Sequence, residues 1–232
     1  MKIKSIKTRR FKAPKDNLSD LLSEVAKELS EGCVVAVSSK VVSICEGACR
    51  PVSESDYNKL VKQESDVSLS SDSHRDILTK HNDVLVEYGG IDVSRTTGYY
   101  ILLPPHPYKS ALKIWRQLRR QSGIRSLGVV ITDSHAVPFR RGSIGMAVAG
   151  YGFKPVNYYK TQGSNRLQKA GDLLDGLAAA ATVVMGEGGH TPLAVITEIP
   201  NIDFFRHQLA PLMMRRYLYV RPNKEVYKNF AK

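Results

Sequence analysis

Residues Gly128–Gly142, GVVITDSHAVPFRRG, decide how this chain is read. Val129, Val130, Ile131 and Thr132 form a short β-branched run, the pattern of a buried strand. The run stops at Asp133, and Ser134, His135, Arg140 and Arg141 follow within eight positions. In open α/β sheets ligands gather at the carboxyl ends of strands. A carboxylate there can hold a divalent cation while the arginines face phosphate or carboxylate groups. The same residues also suit a turn capped by Asp and followed by solvated arginines, since Asp bonds its own backbone two positions on. His135 reads either as a metal or substrate contact or as a hydrogen-bonding residue of the loop.

Outward from this strand, elements alternate with no low-complexity linker and no repeat at a solenoid period. Upstream, Asn17 or Asp16 caps a helix with the apolar stripe Leu18, Leu21, Leu22, Val25 and Leu29, and Gly32 supplies its stop. A strand from Cys33 to Val37 follows. After Val41 to Cys45, the polar region Ser53 to His81 reads as a short helix around Tyr57 to Gln63 and then a mobile loop rich in Ser and Asp. Asp83 to Glu87 and Tyr99 to Leu103 are expected as strands around a turn, and Ala111, Ile114, Trp115 and Leu118 turn one face of a helix to the core. Downstream, Ser143 to Ala149 alternates as a strand, Asp172 to Met185 is an Ala-rich helix ending at Gly186, and Leu193 to Thr197 is a late strand. The mixture predicts an α+β fold, short mixed strands with packed helices, in a single domain over residues 1–232.

With 232 residues, 42% of them apolar, the chain is long enough to bury a full core. Cys33, Cys45 and Cys49 include no CxxC pair, which argues for free thiols in a reducing compartment and against a disulfide framework or a four-ligand zinc site. The amino terminus has no apolar core and the run Leu177 to Met185 is too short to span a bilayer, so a cytoplasmic protein without a membrane partner is expected. A formal charge of +12 and a pI near 9.6 attract polyanions and phosphorylated small molecules alike. The basic residues crowd Lys2 to Lys15, Lys113 to Arg125 and Arg215 to Lys232, yet no aromatic-rich RNP pattern or finger spacing accompanies them. That argues against a dedicated nucleic-acid role.

Ser38-Ser39-Lys40 directly follows the Cys33 strand and leads to Glu46-Gly47. Hydroxyls, backbone N–H groups and an ammonium at a strand end suit an anion such as a nucleotide phosphate, and equally suit a solvated turn. Neither GxxxxGK[ST] nor GxGxxG occurs, so a nucleotide site here is unconventional. In Tyr88 to Ser94, paired glycines permit left-handed or crowded backbone and hand the chain to Asp92 and Ser94. Asp175 sits in the late helix just before the alanines at 178–181, where it either faces water or is held by a cation or an Arg.

Taken together, these segments resemble the coenzyme F-420:L-glutamate ligases, from Val34 to about Pro200. SSKVVSICEG is similar to their Thr/Ser-Ser-Lys…Glu-Gly segment, GGIDVS to Ala-Gly-x-Asp-x-Ser, and LLPPHPYKSA to Leu-Pro-x-x-Pro. ITDSHAVPFRRGSIGMAVAGYGFKP resembles the Asp-centred loop with its Arg-Gly, and LLDGLAAAATVVMGEG the helix carrying another metal-binding Asp. Within the family the chain resembles the folate-metabolism γ-glutamate ligase branch of uncultured bacteria.

The resemblance implies NTP-dependent amide synthesis, with GTP (or ATP) as co-substrate and Mg²⁺ or Mn²⁺ as the metal. A carboxylate of a folate-like or deazaflavin-like acceptor takes the γ-phosphate, and the amine of L-glutamate displaces phosphate from the acyl phosphate. Such a reaction asks the protein chiefly for cations and positioning. The resemblance assigns Asp133 and Asp175 to the metal, Ser39 and Lys40 to the nucleotide, and Asp92, Ser94 and Arg140 to the catalytic cleft, in a homodimer. It also marks departures. Gly176 stands where many ligases carry Glu, Ala136-Val137 replaces Gly-Arg, Arg95 replaces Asn, and Tyr158 to Gly171 lacks an acidic residue. Loss of a metal ligand would leave a nucleotide-binding regulatory relative, and the last alternative is a basic RNA-associated protein.

Overall fold

The computed structural model describes residues 1–70, 77–81, 84–94, 96–137, 139–160 and 167–218. The first half runs β1 (Lys2–Ile6), α1 (Ser19–Ala26), β2 (Cys33–Ser38), α2 (Ser39–Glu46), β3 (Cys49–Pro51) and α3 (Tyr57–Glu64). Short strands follow: β4 (Val67–Ser70), β5 (Ile77–His81), β6 (Val84–Glu87), β7 (Asp92–Ser94) and β8 (Tyr99–Ile101). The second half runs α4 (Pro107–Ser122), β9 (Leu127–Ala136), β10 (Ser143–Tyr151), β11 (Val156–Lys160), β12 (Leu167–Asp172), α5 (Leu173–Met185), β13 (Leu193–Thr197) and α6 (Pro211–Leu218). The architecture is α+β, as its sequence pattern implies.

A five-stranded sheet, ordered β1-β13-β2-β9-β10, organises the molecule. Only β2 and β9 pair in parallel within it. β2 is apolar from Cys33 to Val37 because helices cover both faces of the sheet. Val34 and Ala36 pack with Val130 and Ile196 under α5, which contributes Leu174, Leu177, Ala178 and Ala181. Cys33, Val35 and Val37 face the opposite way, with Val129 and Ile131, against α1, α2 and α4. The stripe Ala111, Ile114, Trp115 and Leu118 is buried as its spacing predicts, each large side chain contributing about 1.5–3 kcal/mol. Trp115 adds an indole N–H bond of 2.7 Å to the Leu127 carbonyl. On the other face α5 lies close to β10 because residue 145 is glycine. A Cβ there would strike the Thr182 side chain and approach the Ala178 carbonyl oxygen to 2.7 Å.

Several local expectations are corrected. Val41 to Cys45 lies inside α2, so Ser38-Ser39-Lys40 opens a helix rather than a turn. The described residues of the Ser- and Asp-rich region include strands, with β4, β5 and β6 pairing antiparallel; residues 71–76 and Asp83 lie outside the described residues. Neither Asn17 nor Asp16 occupies the cap position of α1, which falls on Leu18 without a side-chain cap bond; Asn17 accepts the Ser19 N–H at 2.8 Å from just outside the helix, and Asp16 is taken by Arg9 and the Lys12 N–H. That helix ends at Ala26, before Gly32. Cys33, Cys45 and Cys49 are free thiols, and among the described residues no helix is long and apolar enough to cross a membrane.

Candidate active site

β2 and β9 stay in register from Cys33 opposite Leu127 to Ser38 opposite Thr132. There β2 ends and the chain turns into α2, whereas β9 continues to Ala136 paired with β10 alone. Asp133 is therefore interior to a strand, not at its end, and is the first residue of β9 beyond its parallel neighbour. Side chains alternate across a strand. Val130 and Thr132 face α5, the Thr132 hydroxyl lying 3.1 Å from that of Thr182, so Asp133 projects towards α2. At the start of α2 the buried Ser39 hydroxyl donates to Asp133 Oδ1 at 2.9 Å.

Lys40 follows directly, its Nζ 2.8 Å from Asp92 Oδ2. The paired glycines explain how Asp92 arrives there. Gly89 and Gly90 have φ of 68° and 69°, and a Cβ at Gly90 would meet the Leu103 side chain at 2.5 Å. This tight left-handed turn delivers β7 beside α2. Partial burial, reinforced by the negative charge of Asp92, pushes the Asp133 carboxyl up to about 6, against the Ser39 bond, the Ser134 N–H and Lys40. Burial works against the Lys40 charge, but Asp92, Asp133 and Glu187 outweigh it and raise its pKa. The first turn of α2 has neither an acidic residue nor a side-chain cap at Ser38. Its N–H groups and positive dipole end thus lie next to Lys40, a setting that favours an anion.

A cleft of about 310 Å³ opens beside this cluster. Ser38, Lys40 and Ser94 line one part, Arg9 and Arg10 another, and the loop Gly186 to Thr191 a third. The sequence pattern did not single out the last two. Arg9 and Arg10 merge into a diffuse basic segment, which the antiparallel pairing of β1 with β13 and the bond of the Thr8 N–H to the His190 carbonyl at 2.8 Å bring to the loop.

Glycine-rich backbone, an uncapped helix start and a carboxylate–lysine cluster converge where the F420-0:Gamma-glutamyl ligase family pattern matches, across residues 5–198. The chain belongs to this family. Coenzyme F420:L-glutamate ligase of Methanopyrus kandleri is 29% identical, across 84% of this chain and 86% of its own length. The enzymes of the same name from Archaeoglobus fulgidus and Haloarcula marismortui are 29% and 30% identical, covering 81% and 87% of this chain. This family member is an amide-bond-forming ligase.

The ligase brings Ser39, Lys40, Asp92 and Asp133 together and places Ser94 in the same cleft, its hydroxyl accepting that of Thr97 at 2.7 Å. Arg140 is exposed in the turn between β9 and β10 and does not line the cleft; its backbone N–H bonds the Val137 carbonyl at 3.1 Å. Arg95 lies outside the described residues, as do residues 161–166 of the Tyr158 to Gly171 segment. Asp175 occupies the first turn of α5, on the opposite face of the sheet from α2, and accepts the Ala147 N–H at 2.7 Å. Its carboxyl is raised to about 6, by enclosure against β10 and then by the charge of Asp172. Asp133 and Asp175, expected around one ion, project from opposite faces of the sheet, Asp133 towards α2 and Asp175 from α5. Among the described residues no three His, Cys, Asp or Glu side chains gather as a metal-ligand set.

Proposed function

We propose that this ligase joins L-glutamate to a carboxylate of a folate-like or deazaflavin-like acceptor, using GTP (or ATP) with Mg²⁺ or Mn²⁺. The observation that carries the reading is the juxtaposition of Ser39, Lys40, Asp92 and Asp133 at the uncapped start of α2. Triphosphate oxygens fit the α2 N–H groups and the Lys40 ammonium, with Lys40 released in part from Asp92.

The donor set also fits a hard cation. Asp133 and Asp92 are hard oxygen donors close enough to raise the Asp133 pKa, and Mg²⁺ is commonly held by one or two carboxylates plus substrate phosphates. The bound ion would supply neutralisation of charge on the transferring phosphoryl group. Ser39 orients Asp133 by its hydroxyl bond, and Lys40 steadies the γ-phosphoryl group, first as the acceptor carboxylate takes it and the nucleoside diphosphate leaves, then as the glutamate amine displaces phosphate from the acyl phosphate. Ser94, and Arg140 from the β9–β10 turn, act at the substrate side in this reading. Asp175, also assigned to metal, would do so from the far side of β10. A homodimer is part of the proposal: β10 is an edge strand, with Ile144 45% exposed and Val183 of the adjoining α5 83% exposed.

The test is phosphate release by purified protein given L-glutamate, GTP or ATP, Mg²⁺ or Mn²⁺, and folate or coenzyme F420-0. Release that requires both the acceptor and glutamate, and is lost in Lys40→Met, supports the ligase reading. Nucleotide binding without turnover for any acceptor supports instead a regulatory relative, a reading that fits the absence, among the described residues, of three clustered metal-ligating side chains.

A further inference from the structure

The cleft holds three basic side chains with unequal commitments. Arg9 is engaged by Asp16 through paired guanidinium–carboxylate bonds, 2.7 Å from Nη1 and 2.5 Å from Nη2, and stands over the Phe11 ring at 5.0 Å. That pairing, chiefly the Arg9 hydrogen bonds, also holds the Asp16 carboxyl well below the usual range. Lys40 is engaged by Asp92. Arg10 differs: it donates to the neutral hydroxyl of Thr96 and has no carboxylate partner among the described residues. A guanidinium has five N–H donors in a fixed fork, so most of its bonding capacity remains for a ligand.

Its position is determined by two attachments. Behind it, Thr8 is bonded to the His190 carbonyl; ahead of it, Thr96 lies in the turn where Thr97 bonds Ser94, at the end of the strand that begins with Asp92. The Arg10 guanidinium, bonded to Thr96 but to no carboxylate among the described residues, therefore borders the same cleft as the Lys40 cluster without belonging to it.

Both proposed acceptor classes carry two anions. One is the reacting carboxylate. The other is a spectator, the α-carboxylate of a folate or the phosphodiester of coenzyme F420-0. We infer that Arg10 is a specificity-determining residue that pairs with the spectator anion of the acceptor while the reacting carboxylate faces Lys40. The inference rests on the acceptor-binding reading of the cleft. Charge is its basis: a bidentate Arg–carboxylate or Arg–phosphate pair is strong and directional, and among the described residues no carboxylate is ion-paired with Arg10, although Glu187 lines the same cleft.

Titration calorimetry on the full chain tests this with folate, pteroate, coenzyme F420-0 and GTP with Mg²⁺, for the native protein and for Arg10→Gln and Arg10→Lys. Pteroate lacks the glutamyl spectator carboxylate. Arg10→Gln is expected to weaken folate or coenzyme F420-0 by about tenfold or more, and pteroate and GTP by no more than about twofold. Arg10→Lys is expected to recover part of the loss. A loss for folate identifies a carboxylate as the spectator, and a loss for coenzyme F420-0 identifies a phosphodiester. Equal weakening of folate and pteroate, weakening of GTP alone, no weakening at all, or no binding of either acceptor to the native protein overturns the inference. Arg10-dependent acceptor binding without phosphate release would instead sink the ligase reading and leave the assignment of Arg10 standing.

Discussion

Ser39 donates its hydroxyl hydrogen to Asp133 Oδ1 across 2.9 Å, joining the start of α2 to a strand residue 94 positions later. The bond offsets part of the penalty of holding a carboxylate in a partly buried position beside Asp92. Ser39→Ala removes a donor and leaves that carboxylate less satisfied. Stability is expected to fall by about 1–3 kcal/mol at neutral pH, and NMR titration of Asp133 is expected to show its pKa higher than in the native chain. An unchanged or lower Asp133 pKa would show that the bond does not stabilise the ionised form.

Asp133 also sets a pH dependence of stability. Its carboxyl is raised from 3.8 to about 6 on folding, so the folded state holds the proton more tightly than the unfolded chain. The contribution is therefore most favourable below about pH 4 and is lost as pH rises through about 6. In metal-free buffer Asp133→Asn is expected to raise stability at pH 8 by ~1–3 kcal/mol while abolishing phosphate release. Urea unfolding at pH 4 and pH 8 checks it; a variant less stable than the native chain at pH 8 would contradict the assigned penalty.

A divalent cation held at Asp133 should reverse that penalty. Mg²⁺ or Mn²⁺ is expected to raise the Tm more at pH 8 than at pH 5, since protonated Asp133 is a poor ligand. Thermal melts with and without the ion, repeated on Asp133→Asn, provide the measurement. Equal shifts in both proteins would place the ion elsewhere.

Gly176 is open to substitution. A Cβ there meets nothing within 4 Å, and its backbone is ordinary helix. Gly176→Ala is expected to stabilise the chain by about 0.5–1 kcal/mol through helix propensity. Gly176→Glu restores the carboxylate that the family resemblance leads one to expect beside Asp175. It is expected to bind Mn²⁺ more tightly than the native chain in a calorimetric titration; if affinity is unchanged, Asp175 has no metal role.

Gly145 is the opposite case, because a side chain there must displace α5 at Thr182 and Ala178. Gly145→Ala is expected to cost about 1–3 kcal/mol by overpacking, visible as a lower urea midpoint with an unchanged slope. Native-like stability would mean that α5 moves away from β10 more freely than its packing suggests.

Local patterning determined a great deal here. The β-branched runs at Val34 and Val129, the helical stripe of α4 and the glycine pair before Asp92 each depend on sterics and amphipathicity within a dozen residues. Each is legible in the order of the residues alone. The residue types of the cluster, Ser39, Lys40, Asp92 and Asp133, are readable for the same reason. What only the tertiary structure decided is which groups share a space. Non-local pairing with β10 carries β9 past Asp133, and strand alternation turns that carboxylate towards α2 and away from Asp175. The pairing of β1 with β13, continued by the Thr8 bond to His190, brings Arg10 to the cleft. Sequence period tells a side chain which face of its own element it occupies. Which other element covers that face depends on contacts between residues far apart in the chain.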